Sequence, residues 1–162
     1  MIAIKAQELT YTYSVGTPFE KTAVDHINLE IERGEFVAII GQSGSGKSTF
    51  MNMLGCLDVP TSGEYLLNGT DVSTMTDNQL SAIRNKEIGF IFQGFNLISN
   101  LTAVENVELP LIYRGIDKKT RRKLATEALE MVGLQHRMTH KPSEMSGGQQ
   151  QRVAIARAIA AK

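Results

Sequence analysis

A glycine-rich stretch followed by a lysine and a serine carries the strongest chemical signal in the sequence. Residues 41–48 have the pattern G-x-x-x-x-G-K-S, with Lys47 and Ser48 directly after the second glycine. Glycine lets the backbone bend and approach a ligand closely, because no Cβ is in the way. The N–H groups of such a loop can surround phosphate oxygens, and a following helix adds its positive end. The stretch therefore predicts a binding loop for a nucleoside triphosphate.

The residues around this loop have the strand, loop and helix order that phosphate binding needs. Residues 36–40 are an unbroken apolar run, which predicts a strand buried on both faces of a parallel sheet. Behind the loop, apolar residues recur at helical spacing: Phe50, Met51, Leu54 and Leu57. In this setting Lys47 can reach the β- and γ-phosphates, and the Ser48 hydroxyl can ligate Mg²⁺, which prefers oxygen. A plain glycine-rich turn is the other interpretation, but it requires neither the spacing nor the Lys-Ser pair.

Composition limits the possible classes of protein. The chain has 162 residues, enough for one domain with a hydrophobic core. Its 17 Lys and Arg residues equal its 17 Asp and Glu residues, so no basic excess indicates nucleic-acid binding. No apolar run approaches the roughly 18 residues of a membrane span, and nothing at the N-terminus resembles a signal peptide. These features predict a soluble, cytoplasmic protein that does not bind nucleic acid.

The first part of the chain is predicted to be β-rich and antiparallel. Alternating apolar residues predict strands at 2–6 and 27–31, separated by the turn residues 16–18. Residues 64–67 followed by Asn-Gly predict a further strand and a tight turn. Residues 88–92 are a second candidate for a buried strand, ending at Gln93.

The second part of the chain is predicted to be helical. Thr102 and Glu105 form a capping-box pattern, opening a helix that Pro110 should kink or end. Asp117 should cap another helix, which Gly133 should end. Apolar residues on one face of that helix are Leu124, Ala128, Met131 and Val132. Residues 94–145 are therefore predicted to be a helical insertion in an α/β core.

A second motif begins at Ser146. Taken alone, S-x-x-Q predicts a capping box at the start of a helix. The longer stretch MSGGQQQRVAIARA resembles the signature motif of ABC-type ATPases, whose usual first residue is leucine. Met145 replaces that leucine by an apolar side chain of nearly equal volume. Gln93, which follows an apolar run and precedes GFNL, is similar to the Q-loop glutamine of the same family. The three motifs occur in the family's order, and the resemblance covers essentially the whole chain.

The resemblance implies a P-loop α/β fold with an N-terminal antiparallel β-subdomain and a helical insertion. The implied boundaries are 1–93 for the β-subdomain with the phosphate-loop core, 94–145 for the insertion and 146–162 for the signature helix. ATP and Mg²⁺ are the implied ligands, with Lys47 and Gln93 acting in catalysis and Ser48 and Gln93 holding the metal. The implied ATP-binding residues are Tyr13, Gly41, Gln42, Ser43, Gly44, Ser45, Gly46, Lys47, Ser48, Thr49 and Gln93.

The family's mechanism joins two subunits. The resemblance implies that two ATP-binding subunits pair head to tail and drive an integral membrane permease from the inner face of the plasma membrane. The residues that would contact the partner's ATP are Ser146, Gly147, Gly148 and Gln149. An aromatic residue before the phosphate loop stacks on adenine in this family, and the register favours Tyr13 over Tyr11. A strand tyrosine that only packs on a neighbour stays open as an alternative for Tyr13.

Two subfamilies are indicated by different parts of the sequence. The stretch FQGFNLISNLTAVENVELPLIYRG resembles the lipoprotein-release and macrolide-export group of ABC ATPases. The earlier stretch YTYSVGTPFEKTAVDHINL resembles ATPases of energy-coupling-factor vitamin transporters. The first group matches more residues and ranks first. The transported substrate does not follow from either resemblance.

The sequence departs from the family after the signature helix. The family continues into an apolar strand ending in a metal-binding Asp and a water-activating Glu, followed by a switch histidine, and residues 1–162 contain none of these. We expect a C-terminally truncated piece of a longer subunit, inactive in hydrolysis and prone to aggregation when alone. A natural, non-hydrolysing nucleotide-binding or regulatory module is the alternative. Two other classes are less favoured. A chromosome-maintenance ATPase would carry a coiled-coil or zinc insertion between the two motifs, and a P-loop kinase would not need residues 146–149.

Overall fold

The computed structural model describes residues 1–161, and the chain divides between residues 81 and 82 into two compact units. The first unit contains a four-stranded sheet and one helix, and the second is helical. A helix that contains the division, α2, spans Asp77–Glu87. The other elements are β1 Ile2–Tyr13, β2 Lys21–Glu32, α1 Lys47–Leu54, β3 Ser62–Leu67, β4 Thr70–Asp71, α3 Ala103–Tyr113, α4 Lys118–Met131 and α5 Gly147–Ala160. Within residues 1–161 no helix is both long enough and apolar enough to cross a membrane.

The sheet of the first unit is antiparallel throughout, in the order β2-β1-β3-β4. The predicted strands at 2–6 and 27–31 are confirmed, and each belongs to a strand of twelve residues. The tight turn between β3 and β4 is also confirmed. Asn68 and Gly69 both have positive φ, 49° and 80°, as a two-residue hairpin turn requires. The β-rich, antiparallel start of the chain therefore follows from local sequence.

The core of the first unit lies where α1 meets the sheet. Met53 is fully buried, and Tyr65 of β3 is 1% exposed. The Tyr65 hydroxyl donates to the Leu54 carbonyl at 2.7 Å. This carbonyl lies at the end of α1, where the last C=O groups have no partner within the helix. Burial raises the pKa of Tyr65 well above its usual range, so this hydroxyl stays a donor. The buried apolar residues of this unit include Ala6, Leu9, Val24, Phe50, Met53, Leu54, Cys56, Leu67, Val72 and Leu80.

Residues 36–40 differ from the prediction. They form no strand, and Phe36 and Ile40 are 95% and 89% exposed. A strand exists only where a neighbour accepts and donates its backbone hydrogen bonds. The strands β1 to β4 pair with one another, and no segment among residues 1–161 pairs with 36–40. The predicted buried strand is therefore wrong for this structure, because apolar character does not supply a pairing partner.

Residues 88–92 were also predicted to be a buried strand, and this prediction is wrong for the same reason. The segment has no strand pairing and is half-buried to exposed. Its backbone places Phe90 and Phe92 on one side, with their rings stacked at a centroid distance of 5.2 Å. The apolar residues thus contact each other where they lack a neighbouring strand.

Helices α3, α4 and α5 enclose the core of the second unit. Both predicted caps are confirmed. Glu105 accepts from the Thr102 N–H at 2.8 Å, and Thr102 accepts in return from the Glu105 N–H. Hydrogen bonds from Thr102 hold the pKa of Glu105 below its usual value. Asp117 accepts from the first-turn N–H groups of α4. Members of the core include Ala103, Val104, Val107, Leu111, Ala125, Ala128, Leu129, Leu134, Met145, Val153, Ala156 and Ala160.

Pro110 was predicted to kink or end α3, and the helix does not end there but continues to Tyr113. One detail of the helical unit differs from the prediction. Met131 was placed on the buried face of α4 but is 73% exposed. The buried face is set by Ala125, Ala128 and Leu129, and at about 100° per residue Met131 lies roughly 120° around the helix from Ala125. Gly133, with φ 71°, ends this region as predicted.

Candidate functional site

The phosphate-loop pattern forms a turn that only glycine can complete. Gly46 is the N-cap of α1 and has φ 85° and ψ 0°, in the left-handed region. A Cβ at this position would lie 2.1 Å from the carbonyl oxygen of Ala23 in β2. The loop and β2 therefore approach each other at a distance that no side chain allows. Gly44 is also left-handed, at φ 82°, but has open space around it.

The helix behind the loop begins without a cap. No side-chain hydrogen bond caps α1, and its first turn carries no acidic residue. The N–H groups of a first helical turn have no acceptors within the helix. They give α1 a set of donors, together with the positive end of the helix dipole, that suits an anion.

The ammonium group of Lys47 contacts the glycine-rich loop that precedes this residue. Its ammonium donates to the carbonyl oxygens of Gly41 at 2.8 Å and Gln42 at 2.6 Å, with the Ser45 hydroxyl at 3.5 Å. An ammonium has three donors and no acceptor, so here all three face loop oxygens. Phosphate oxygens are stronger acceptors for a cation than carbonyls. The next residue, Ser48, is exposed at the start of α1. The arrangement places a cation and a hydroxyl at an uncapped helix start.

Tyr13 is brought to this same helix start. Its hydroxyl lies 2.9 Å from the hydroxyl of Thr49, and Thr49 is buried. The ring of Tyr11 meets that of Tyr13 edge-on, with centroids 4.9 Å apart. Tyr13 remains 43% exposed, so part of its surface is open to a ligand. The end of β1 is thus tied through Thr49 to the first turn of α1.

The second unit holds the remaining predicted residues. Gln93 is exposed and lies with Gly94 in a turn that the Phe95 N–H closes by donating to the Phe92 carbonyl. Ser146 caps α5 in a full capping box, accepting from the Gln149 N–H at 3.4 Å while Gln149 accepts from the Ser146 N–H at 2.9 Å. Gly147 and Gly148 are exposed at the start of the helix. The start of α5 is therefore an open surface of small residues.

Met145, directly before Ser146, is buried beneath the start of α5. It is 8% exposed and belongs to the core of the second unit. The side-chain amide of Gln150 donates to the carbonyls of Pro142 at 3.0 Å and Met145 at 3.1 Å. These hydrogen bonds fix the turn that leads into Ser146, and the burial of Met145 agrees with an apolar side chain of nearly the volume of leucine at this position.

Three polar side chains that hold loops in the second unit were missed by the sequence analysis: Asn106, Gln150 and Arg157. One signal was available for Asn106, a weak helix former within the largely apolar helix α3. Arg157 interrupts the apolar stripes of α5. The signal at Arg157 does not name its partners, because the carbonyls that it binds lie about sixty positions away in the sequence.

Residues 24–162 match the ABC transporter family, and the chain belongs to this family. This agrees with the sequence of motifs and with the loop geometry described above. The family recognition and the α/β P-loop fold class are thereby confirmed.

The relatives are ATP-binding proteins of transporters. The chain is 52% identical over 158 residues to the macrolide export ATP-binding/permease protein MacB of Vibrio parahaemolyticus, covering 98% of this chain and 24% of that protein. It is 55% identical to the uncharacterized ABC transporter ATP-binding protein YknY of Bacillus subtilis, covering 96% of this chain and 67% of YknY. A solved dimeric structure of the ATP-binding cassette MJ0796 bound to ADP and Pi superimposes with a TM-score of 0.88 at 50% identity. It covers 97% of this chain and 69% of that cassette.

These comparisons bear on the two subfamilies. The MacB match covers 98% of the chain, so it includes the N-terminal stretch that resembles energy-coupling-factor ATPases. One macrolide-export relative therefore aligns with both stretches. The chain spans about a quarter of the length of MacB and about two thirds of YknY.

Two glycines of the loop provide a matched pair of variants. Gly46→Ala must place a methyl group against the Ala23 carbonyl, whereas Gly44→Ala has open space and only a left-handed backbone. We expect Gly44→Ala to lower the free energy of unfolding by about 1–2 kcal/mol and Gly46→Ala to lower it by clearly more. Urea denaturation followed by circular dichroism measures both. Equal losses would show that the approach of β2 to the loop does not limit this position.

Proposed function

We propose that the chain binds Mg-ATP at residues 41–49 as the ATP-binding part of an ABC transporter. The complete subunit would pair head to tail with a second ATP-binding subunit and couple ATP hydrolysis to transport by an integral membrane permease. The observation that carries the proposal is the uncapped start of α1 behind the left-handed Gly46, with the Lys47 ammonium among the loop carbonyls. An anion with several oxygens completes the hydrogen bonds that this loop lacks.

The proposal gives separate roles to the loop backbone, to Lys47, and to Ser48 with Gln93. The backbone N–H groups of the loop and of the first turn of α1 bind phosphate oxygens. Lys47 exchanges its carbonyl acceptors for phosphate oxygens and adds a charge-assisted bond. Ser48 and Gln93 are the residues proposed to hold Mg²⁺, which when bound neutralises charge on the β- and γ-phosphates.

Ser146 can cap its own helix and contact a partner's nucleotide at once. Its oxygen accepts the Gln149 N–H, and that contact uses a lone pair and leaves the hydroxyl proton free. The proton can donate to a phosphate oxygen, together with the N–H groups of Gly147 and Gly148. The capping interpretation and the nucleotide-contact interpretation of S-x-x-Q are therefore compatible.

The names of the relatives support the proposed partners. MacB combines ATP-binding and permease functions in its name, and two solved structures of the MJ0796 cassette are dimeric. We propose that this chain acts at the inner face of the plasma membrane through such a permease. The matched relatives are transporter proteins, so they give no support to a regulatory module without hydrolysis.

The first prediction concerns Lys47. Lys47→Ala removes the charged donor of the loop, and we expect affinity for Mg-ATP to fall by roughly 10- to 100-fold, the value of hydrogen bonds to charged groups. Isothermal titration calorimetry measures the change. The control is Lys118→Ala, which removes the same charge from an exposed position in α4. Unchanged affinity in Lys47→Ala would exclude this role.

A second prediction separates the two interpretations of Tyr13. If the ring stacks on adenine, Tyr13→Ala should lower nucleotide affinity by about 1–3 kcal/mol, and Tyr13→Phe should leave affinity nearly unchanged. The structure adds that Tyr13→Phe loses the contact with Thr49 and should lower the free energy of unfolding by about 1 kcal/mol. Calorimetry and urea denaturation measure the two effects. Loss of affinity in Tyr11→Ala but not in Tyr13→Ala would assign the stacking to Tyr11.

A third prediction concerns hydrolysis by residues 1–162. Hydrolysis needs a group that activates water, and none of Lys47, Ser48 and Gln93 can act as that base. We expect phosphate release no faster than that of Lys47→Ala, and a tendency to aggregate through exposed residues such as Phe36 and Ile40. Extending the chain by an apolar strand ending in Asp-Glu should restore both solubility and turnover. Phosphate release by a monodisperse 162-residue sample, abolished in Lys47→Ala, would contradict this account.

A further inference from the structure

The backbone directly after Gln93 adopts an uncommon conformation. Phe95 and Asn96 have φ values of 61° and 47°, both in the left-handed region. The N–H of Phe95 donates to Phe92 at 3.0 Å, and that of Asn96 donates to Gly94 at 2.7 Å. Two successive non-glycine residues in this region persist only where the surrounding structure fixes them.

Arg157, in the last turn of α5, supplies that fixation. Its guanidinium donates from Nη1 to the Asn96 carbonyl at 2.7 Å and from Nη2 to the Phe95 carbonyl at 2.9 Å. Among residues 1–161 no carboxylate forms an ion pair with Arg157. Partial burial lowers the pKa of Arg157, but an arginine remains charged. The side chain therefore uses a cation to bind two backbone carbonyls of the turn.

Helix α5 also contacts the chain on the other side of Gln93. A Cβ at Gly89 would lie 3.0 Å from the carbonyl oxygen of Ala158, so residues before Gln93 pass close to the same helix. The Phe95 ring lies 4.0 Å from where a Cβ on Gly147 would stand. The segment around Gln93 thus passes close to both the end and the start of α5.

Residues 98–102, which follow the turn, are hydrogen-bonded to a side chain of α3. Asn106 is fully buried. It accepts from the Ile98 N–H at 2.7 Å, and its amide donates to the carbonyls of Ile98, Leu101 and Thr102. Residues 98–102 are fixed there by α3, which leaves Arg157 to fix the part next to Gln93.

We propose that Arg157 is a positioning residue for Gln93. By binding the carbonyls of Phe95 and Asn96, it holds the Gln93 backbone against the helix that begins at Ser146, so that Gln93 and Ser146 keep one geometry. Their roles at the nucleotide rest on the proposed function, whereas the fixation of the turn does not. Arg157 acts through Gln93 and does not itself touch the nucleotide.

Hydrogen exchange of the 162-residue chain, read by mass spectrometry, tests the fixation without nucleotide. In Arg157→Gln we expect peptides covering 93–97 to exchange at least about tenfold faster, since the turn opens locally. Peptides covering α4 should be unchanged. The control is Arg152→Gln, an exposed residue of the same helix, which loses the same charge and should match the parent. Parent-like exchange at 93–97 in Arg157→Gln would overturn the proposal.

Arg157→Lys decides the question if Arg157→Gln fails to fold. Lysine keeps the charge but cannot bind two carbonyls in the fork geometry of a guanidinium. Exchange at 93–97 between that of the parent and that of an open turn, with α4 still protected, supports the proposal. Exchange identical to the parent would contradict it.

Nucleotide titrations connect the fixation to Gln93. Gln93→Ala and Arg157→Gln should each lower the affinity for Mg-ATP relative to Mg-ADP, by similar factors, and the double variant should lose little more. An effect in Gln93→Ala but none in Arg157→Gln would reject the positioning role and leave the proposed function intact. If the parent binds no Mg-ATP, the proposed function fails and the exchange measurement alone decides on Arg157.

Discussion

The first turn of a helix leaves N–H groups without acceptors, and both candidate sites of this chain are built on that constraint. The two helix starts meet it differently. In α1 the N-cap is Gly46, whose lack of a side chain leaves the donors of the first turn uncapped. In α5 the N-cap is Ser146. Its hydroxyl oxygen accepts from the Gln149 N–H, and its own N–H donates to the Gln149 side chain. A helix start that caps itself needs no ligand for its stability, which agrees with the proposed contact of Ser146 with the nucleotide of another subunit. A helix start without a cap gains hydrogen bonds from any bound anion, which agrees with the ATP site proposed at residues 41–49.

The geometry of the phosphate loop is set locally, and this explains why it forms although residues 36–40 are not a strand. Gly46 turns in the left-handed region where it passes the Ala23 carbonyl, and Lys47 binds the carbonyls of Gly41 and Gln42. On its other side, Tyr13 contacts Thr49 at 2.9 Å. Each of these contacts joins the loop to itself or to β1 and β2, and none requires a hydrogen bond from residues 36–40. The exposed Phe36 and Ile40 show that this segment offers apolar surface to a neighbour that the described residues do not provide.

Features that depend on neighbouring residues could be predicted from the sequence, and features that depend on a distant partner could not. The capping boxes at Thr102 and Ser146 and the Asn68-Gly69 turn form as predicted, because every atom involved lies within a few residues. The strands at 36–40 and 88–92 were predicted from apolar content, which indicates burial but does not identify what covers it. The loop residues of the candidate site were predicted from their types and spacing, together with the apolar run before them and the helical pattern behind them. Asn96, a partner of Arg157, lies 61 positions before it in the sequence. Neither the role of Arg157 nor that of the Tyr13 hydroxyl could therefore be derived from periodicity.

The segment after Gln93 is held by polar side chains at both ends, and the two ends differ in how firmly they are held. Asn106 is fully buried and hydrogen-bonded to residues 98–102, so breaking these bonds would leave its buried amide unpaired. Arg157 is only partly buried, and the carbonyls of Phe95 and Asn96 could exchange its guanidinium for water at lower cost. Motion of this segment, if a bound nucleotide induces any, should therefore begin next to Gln93 and stop before residue 98. The proposed role of Gln93 at the nucleotide requires this segment to respond to a ligand without disturbing the core of its unit, and a firm attachment on one side with an exchangeable one on the other meets both requirements.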